Sequence, residues 1–250
     1  MIGTIYTIWL RNVKRYLRSK SRIIGSLAQP LFFLLVLGFG LGSVLTIPGM
    51  GHNYTKFIIP GIIAMGVLFV SVFSGVQIIW DKQFGFLKET LVAPVSRISI
   101  MLGQTLGGAT TAAIQAGIIL ILSLFIESFI PSLFGFVIVV IFVGLIGIAF
   151  TSLGISIASK MEDMQGFQLI INFVIFPIFM TSGALFPLDQ APNILKIIAY
   201  INPLAYGVEG IRYGLFGVSQ INPILSLIVL SVFSLLMVFL GAYLFSKMRV

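Results

Sequence analysis

No cysteine occurs in the chain, and its only histidine is His52. Disulfides, thiolate metal sites and cysteine nucleophiles are thereby excluded. A lone histidine also leaves no members for a multi-histidine metal site or an intramembrane serine–histidine pair. Charge is equally scarce. Asp, Glu, Lys and Arg make up 9% of the 250 residues, against 58% apolar. A soluble domain carries roughly a quarter charged residues, so an ordinary soluble enzyme is ruled out. Disorder is ruled out too, because it requires low hydrophobicity. What the chain has in abundance is apolar length. Its mean hydropathy of +1.14 predicts an all-α, polytopic membrane protein. The start is long and basic with no small-residue cleavage signal, so no signal peptide is expected.

A helical span takes about 20 apolar residues. Six stretches qualify: Ile23–Ile47, Phe57–Trp80, Ile98–Ile126, Leu133–Ala158, Phe167–Phe186 and Ile224–Phe245. They lack strand-like alternation, which predicts six transmembrane helices. With the N-terminus inside, twelve of the fifteen basic residues flank the spans on the inner side; only Lys56, Lys196 and Arg212 lie outside. The positive-inside rule therefore predicts both termini in the cytoplasm, in the plasma membrane of a prokaryote. The charges flank spans and build no soluble domain, so no nucleic-acid partner is expected. The predicted layout is a cytoplasmic interface helix over 1–22 and a six-helix transmembrane region over 23–250, a single domain overall.

Two cytoplasmic segments and one outer segment stand apart from the spans. In the first, Ile2, Ile5, Trp9, Val13, Tyr16 and Leu17 recur at helical spacing, with Arg11, Lys14, Arg15, Arg18 and Arg22 on another face. This is a basic amphipathic helix, with its arginines near lipid phosphates. It serves as a topology anchor, a docking surface for a cytoplasmic partner, or both. The second segment, Asp81–Arg97, mixes charges with Phe84, Phe86, Leu87 and Leu91. Its spacing predicts a short amphipathic helix ended before Pro94. That helix either packs on the protein's own spans or enters a groove of a partner.

The outer segment 187–222 holds an apolar piece interrupted by Glu209 and Arg212. It is too short to span and reads as re-entrant or interfacial helix. Glu209 and Arg212 are three apart and can pair on one face.

The six spans carry no Asp, Glu, Lys, Arg or His, which speaks against ion-coupled transport. They carry small residues instead, such as Gly103, Gly107 and Gly108 in the third and Gly144, Gly147 and Gly154 in the fourth. Such residues are packing devices above all. Gln29, Gln77, Gln115 and Asn172 add neutral amides at membrane depth; Gln77, Asn172 and Thr181 are the candidates for a translocation path. No metal site is expected. No Gly-x-x-x-x-Gly-Lys-Ser/Thr loop exists, nor any Gly-Lys pair, so any ATP used must be bound by another polypeptide.

Three pieces taken together resemble the permease subunit of type-2 ATP-binding-cassette exporters, in the daunorubicin-resistance-like branch, over essentially the full length. They are Asp81–Arg97; Ser182-Gly183-Ala184-Leu185-Phe186-Pro187-Leu188; and Asn202-Pro203-Leu204-Ala205-Tyr206 with Glu209 and Arg212 following. The resemblance implies a homodimeric or heterodimeric permease carrying two copies of a cytoplasmic ATP-binding subunit. That subunit, and not this chain, would hold ATP and Mg; this chain would bind no cofactor and catalyse nothing. A coupling helix is implied at Asp81, Gly85, Phe86, Leu87, Glu89, Leu91 and Pro94, with the N-terminal helix beside it. Re-entrant outer helices that close the exit are implied at Phe186, Pro187, Asn202, Pro203, Tyr206, Glu209 and Arg212. Spans two and five would face the dimer axis.

The expected function is export of an amphipathic, drug-like or lipid-like substrate past uncharged walls. An ATP-independent channel or carrier and a non-transporting scaffold remain the alternatives. The lone His52, in an outer loop, leaves an intramembrane hydrolase far behind.

Overall fold

A computed structural model of the protein describes residues 2–42, 54–85 and 95–248. Among them the elements are helices, with no strand. Helix α1 (Ile2–Arg18) is followed at once by α2 (Lys20–Gly42). Helices α3 (Tyr54–Ser74) and α4 (Val76–Gln83) form one rod interrupted at Gly75. Helices α5 (Arg97–Ile126) and α6 (Leu133–Lys160) are the longest. Helix α7 (Met164–Ile170) passes through a π-helical turn, Ile171–Ile175, into α8 (Phe176–Met180). A 3-10 turn at Leu188–Gln190 leads to α9 (Asn193–Ile201) and α10 (Pro203–Phe216), and α11 (Pro223–Ser246) follows.

The helix starts are written locally. Ser96, Ser132, Asp163, Asn202 and Asn222 each accept a backbone N–H of the first turn they precede, which satisfies donors the helix leaves orphaned. Asn202-Pro203 and Asn222-Pro223 add proline at the first helical position, where its missing N–H costs nothing. Gly217 closes α10 in the left-handed region at φ 71°, as a C-terminal glycine does.

Among the described residues five helices are long and apolar enough to cross a membrane: Lys20–Gly40, Tyr54–Gln83, Arg97–Ile126, Leu133–Lys160 and Pro223–Ser246. The bent pair α9–α10 makes a sixth if its two arms, inclined at 88°, count as one span. The stretch expected over Phe167–Phe186 differs from expectation. It is helical only over Met164–Met180, about 25 Å at 1.5 Å per residue. Beyond it the chain turns. Gly183 takes φ +70°, and Ser182, Gly183 and Ala184 are buried. Irregular backbone at membrane depth is tolerated where protein covers it, and here Gly61 of α3 provides the cover. A Cβ on Gly61 would stand 2.5 Å from the Ala184 carbonyl oxygen. The helices also run past the apolar windows, so Arg22, Lys56 and Asp81 fall in terminal turns.

The α3–α4 rod is the axis of the fold. Of its most apolar window 78% is buried, against 17% for α2 and 22% for α11, so those two are the spans least covered by the chain's own residues. The rod packs on α2, α5, α6 and α10. Close approach is bought with glycine at its break: a Cβ on Gly75 would overlap the Gly154 carbonyl of α6, and one on Gly154 would overlap the Val72 carbonyl. Substituting valine at Gly75 or Gly154 is therefore expected to lower the thermal midpoint of the detergent-solubilised protein, at an overpacking cost of about 1–3 kcal/mol. Alanine at Gly117 or Gly144, where no atom lies within 4 Å, is expected to leave it unchanged or raised. A similar fall at all four positions would refute this account of the crossing.

Candidate functional site

At one end of the rod, Asp81 is buried on α4. Its Oδ1 accepts from Gln77 Nε2 at 2.9 Å, and its Oδ2 meets Arg11 Nη2 of α1 at 3.3 Å. Lys82 donates to the Ser159 and Met161 carbonyls at 3.4 and 3.2 Å, and Gln83 to that of Glu162 at 3.1 Å. This end of the rod is thus pinned both to α1 and to the C-terminal end of α6. Gly85 ends α4 at φ +78°. Phe86, Leu87, Glu89, Leu91 and Pro94 lie outside the described residues, as does His52.

Helix α1 lies along α5. Gly103 and Gly107 form the seat: added Cβ atoms would stand 2.8 Å from Ile8 Cβ and 2.7 Å from Asn12 Cβ. Three side chains of α1 then bond across. Trp9 Nε1 donates to Thr110 at 2.9 Å, Asn12 Nδ2 to Gln104 at 2.6 Å and the Tyr16 phenol to Gln115 at 3.0 Å. Burial pushes the Tyr16 phenol pKa up, which keeps it a donor. Gln115 is also fixed by Ser26 of α2, from its hydroxyl at 2.5 Å and to its carbonyl at 2.7 Å. The amphipathic pattern is only partly obeyed. Tyr16 is buried, but Ile2 and Leu17 are exposed, because α1 rests on a narrow groove of α5. Arg11, Lys14, Arg15 and Arg18 are all exposed.

At the other end of the rod, Glu209 and Arg212 of α10 are both buried and paired. Arg212 Nη2 also donates to the Gly183 carbonyl at 3.1 Å, and the guanidinium carbon sits 4.2 Å from the centre of the Phe57 ring of α3. Glu209 Oε2 accepts the Gln220 N–H at 2.5 Å, and the Gln220 side chain accepts the Leu188 N–H at 2.8 Å. One ion pair thus ties α10, the turn after α8, the rod and the loops before α9 and before α11. Asn202 does double duty. Besides capping α10, it donates to the Ile178 carbonyl at 2.6 Å and to Thr181 at 3.1 Å. Pro203 opens α10. Tyr206 bonds the Tyr200 carbonyl at 2.7 Å and packs with Leu188, Ala199 and Ile221, with Phe186 against them; Pro187 leads into the 3-10 turn.

The three path candidates separate. Gln77 lines a half-open cavity of about 460 Å³ between α1, α2, the rod and α5, with Met164 of α7 at its edge. Asn172 is exposed on the α7–α8 rod, bonded to Gln168 at 3.3 Å. Thr181 bonds the Pro177 carbonyl at 2.9 Å and Asn202. Uncharged lining was the expectation, yet Arg15 and Arg22 line this cavity, because the α1–α2 corner folds over it. Asn12, Gln104 and Gln220, which join elements here, escaped the sequence reading. A lone amide on an amphipathic helix or a loop carries no pattern.

Residues 4–216 match the family described as ABC-2 type transporter. The chain is 31% identical over 240 residues to a putative transport permease, ycf38, of Cyanophora paradoxa, covering 90% of this chain and 81% of that protein. It is 30% identical over 210 residues to Nodulation protein J of Rhizobium leguminosarum bv. trifolii, covering 82% and 78%. It is 24% identical over 243 residues to the inner membrane transport permease YadH of Escherichia coli K12, covering 95% and 90%.

Replacing Arg212 with glutamine strands a buried carboxylate and is expected to destabilise the protein by about 3–5 kcal/mol. The pair E209Q/R212M, which keeps an acceptor for Gln220 and removes both charges, should recover much of that loss in the same denaturant titration. An R212Q protein as stable as the parent would remove the ion pair from this role.

Proposed function

The chain belongs to the ABC-2 type transporter family, and on that premise we propose that it is the permease subunit of an exporter in the plasma membrane of a prokaryote, driven by a separate cytoplasmic ATPase subunit. One observation carries the proposal. The buried α3–α4 rod touches the Arg11–Asp81 contact at one end and the Arg212–Glu209 staple, through Phe57, at the other. A displacement imposed at the Asp81 end is delivered along a packed rod to the element that ties the outer loops shut. Close-packed interiors transmit such shifts as rearrangements between discrete states.

In this reading both termini are cytoplasmic, and the segment around Asp81 and Gly85 receives the ATPase, with Phe86, Leu87, Glu89, Leu91 and Pro94 completing the contact. Phe186, Pro187, Asn202, Pro203, Tyr206, Glu209 and Arg212 form the outer closure. ATP and Mg belong to the partner, present in two copies. A second permease copy covers the α7–α8 face, where Gln168 and Asn172 stand exposed beside Phe173. Amides left facing hydrocarbon are costly, and a second copy along that face would give them a path or a partner. The rod itself is largely enclosed by its own chain over Tyr54–Leu68 and opens at Phe69–Ser74 and again toward Gln83, so its share of any dimer axis falls on those stretches. The substrate is amphipathic, drug-like or lipid-like. The daunorubicin-resistance-like branch is part of the same proposal.

The test is co-purification with a nucleotide-binding subunit from the same genome. L87E/L91E is expected to abolish the association. D81N is expected to preserve it while cutting substrate-stimulated ATP hydrolysis about tenfold, the scale of one lost charge-assisted contact. Nucleotide-independent transport by this chain alone in liposomes would replace the proposal with a carrier.

A further inference from the structure

The cavity beside Gln77 has a chemistry that the outer staple and the rod do not use. At about 460 Å³ it falls within the roughly 300–1,000 Å³ range of small-molecule sites. Its walls are sorted by polarity. Arg15 of α1 and Arg22 of α2 supply charge, Gln29 and Gln104 supply amides, and Phe69, Phe73 and Trp80 of the rod supply an apolar floor. Among the described residues no Asp or Glu lines it. Among the described residues the carboxylate–arginine contacts engage Arg11 and Arg212, not Arg15 or Arg22. Both arginines line the cavity while remaining exposed, so they place two positive charges at its open edge. Arg15 and Ser21 also border a basic depression with Arg11, Lys14, Arg18 and Lys20 at the α1–α2 corner, which extends the positive field outward. An uncharged solute gains nothing from this arrangement, and a free anion gains nothing from the aromatic floor.

We propose that this cavity binds one anionic amphiphile from the cytoplasmic leaflet, with its phosphate headgroup between Arg15 and Arg22 and its chain over Phe69 and Phe73. As the class of exported substrate this rests on the permease reading; as a binding site it stands on the cavity alone. Guanidinium groups suit phosphate through paired N–H donors, and cytoplasmic-leaflet lipids are drawn to such clusters.

Trp80 reports on the site. The chain has two tryptophans, and Trp9→Phe leaves Trp80 alone. The full chain is placed in nanodiscs of phosphatidylcholine with graded brominated-chain phosphatidylglycerol or, separately, brominated-chain phosphatidylcholine. Excess quenching by the phosphatidylglycerol at low mole fraction is expected. In R15A/R22A the half-saturating fraction is expected to rise about tenfold or more, whereas R15K/R22K, which keeps both charges but loses the paired donors, should raise it by clearly less and so separate lost charge from a lost fold. Equal quenching by the two lipids overturns the proposal, as does an undiminished excess in R15A/R22A. Abolition of the excess by millimolar inorganic phosphate overturns it too, since the site would then take anions without a chain. ATP hydrolysis by the complex with its nucleotide-binding subunit is read separately. If lipid binding holds while hydrolysis ignores the lipid, the export reading fails and the lipid site stands.

Discussion

In hydrocarbon no polar group can turn to water, and each must find its partner inside the protein. The Glu209–Arg212 pair shows how far that constraint reaches. Two buried charges are tolerable only when each is paired and its remaining hydrogen-bonding groups are met. Meeting them, Arg212 Nε excepted, recruits the Gly183 carbonyl, the Gln220 N–H and the face of Phe57. Those groups come from the turn after α8, the loop before α11 and the head of the rod. Satisfying one ion pair therefore fixes three otherwise independent segments, and that end of the molecule is organised around it.

The same logic runs in neutral form at the α1 end. Gln115 lies in the middle of an apolar helix, where an unsatisfied amide is expensive. The Tyr16 phenol and Ser26 satisfy it, and by doing so hold α1 and α2 against α5. Asn12 and Gln104 repeat the arrangement. Apolar contact brings these helices together without direction; the amides set their register. The α3–α4 rod joins the two ends, and its burial follows from glycines that let α6 approach to backbone contact at Gly75 and Gly154.

The cavity lies between these fixed points and is lined differently. Two exposed arginines border it, and among the described residues no acid lines it. Positive charge beside an aromatic floor is the pattern that underlies the assignment of an anionic amphiphile.

The sequence by itself determined the solvent and the class. Scarce charge and long apolar runs admit only a helical membrane protein, and capping residues with Asn-Pro pairs mark where α5, α6, α10 and α11 begin. These are properties of composition and short-range spacing. The tertiary structure alone decided which residues meet. It shortened the fifth span to Met164–Met180, because the following turn is stabilised by Gly61 and Arg212, distant in the chain. It turned Gly103 and Gly107 into the seat of α1, and it moved Arg15 and Arg22 from a lipid-facing pattern onto a common cavity. A periodicity records one helix and its own faces; which neighbour covers a face depends on partners tens of residues away, and only the assembled packing specifies them.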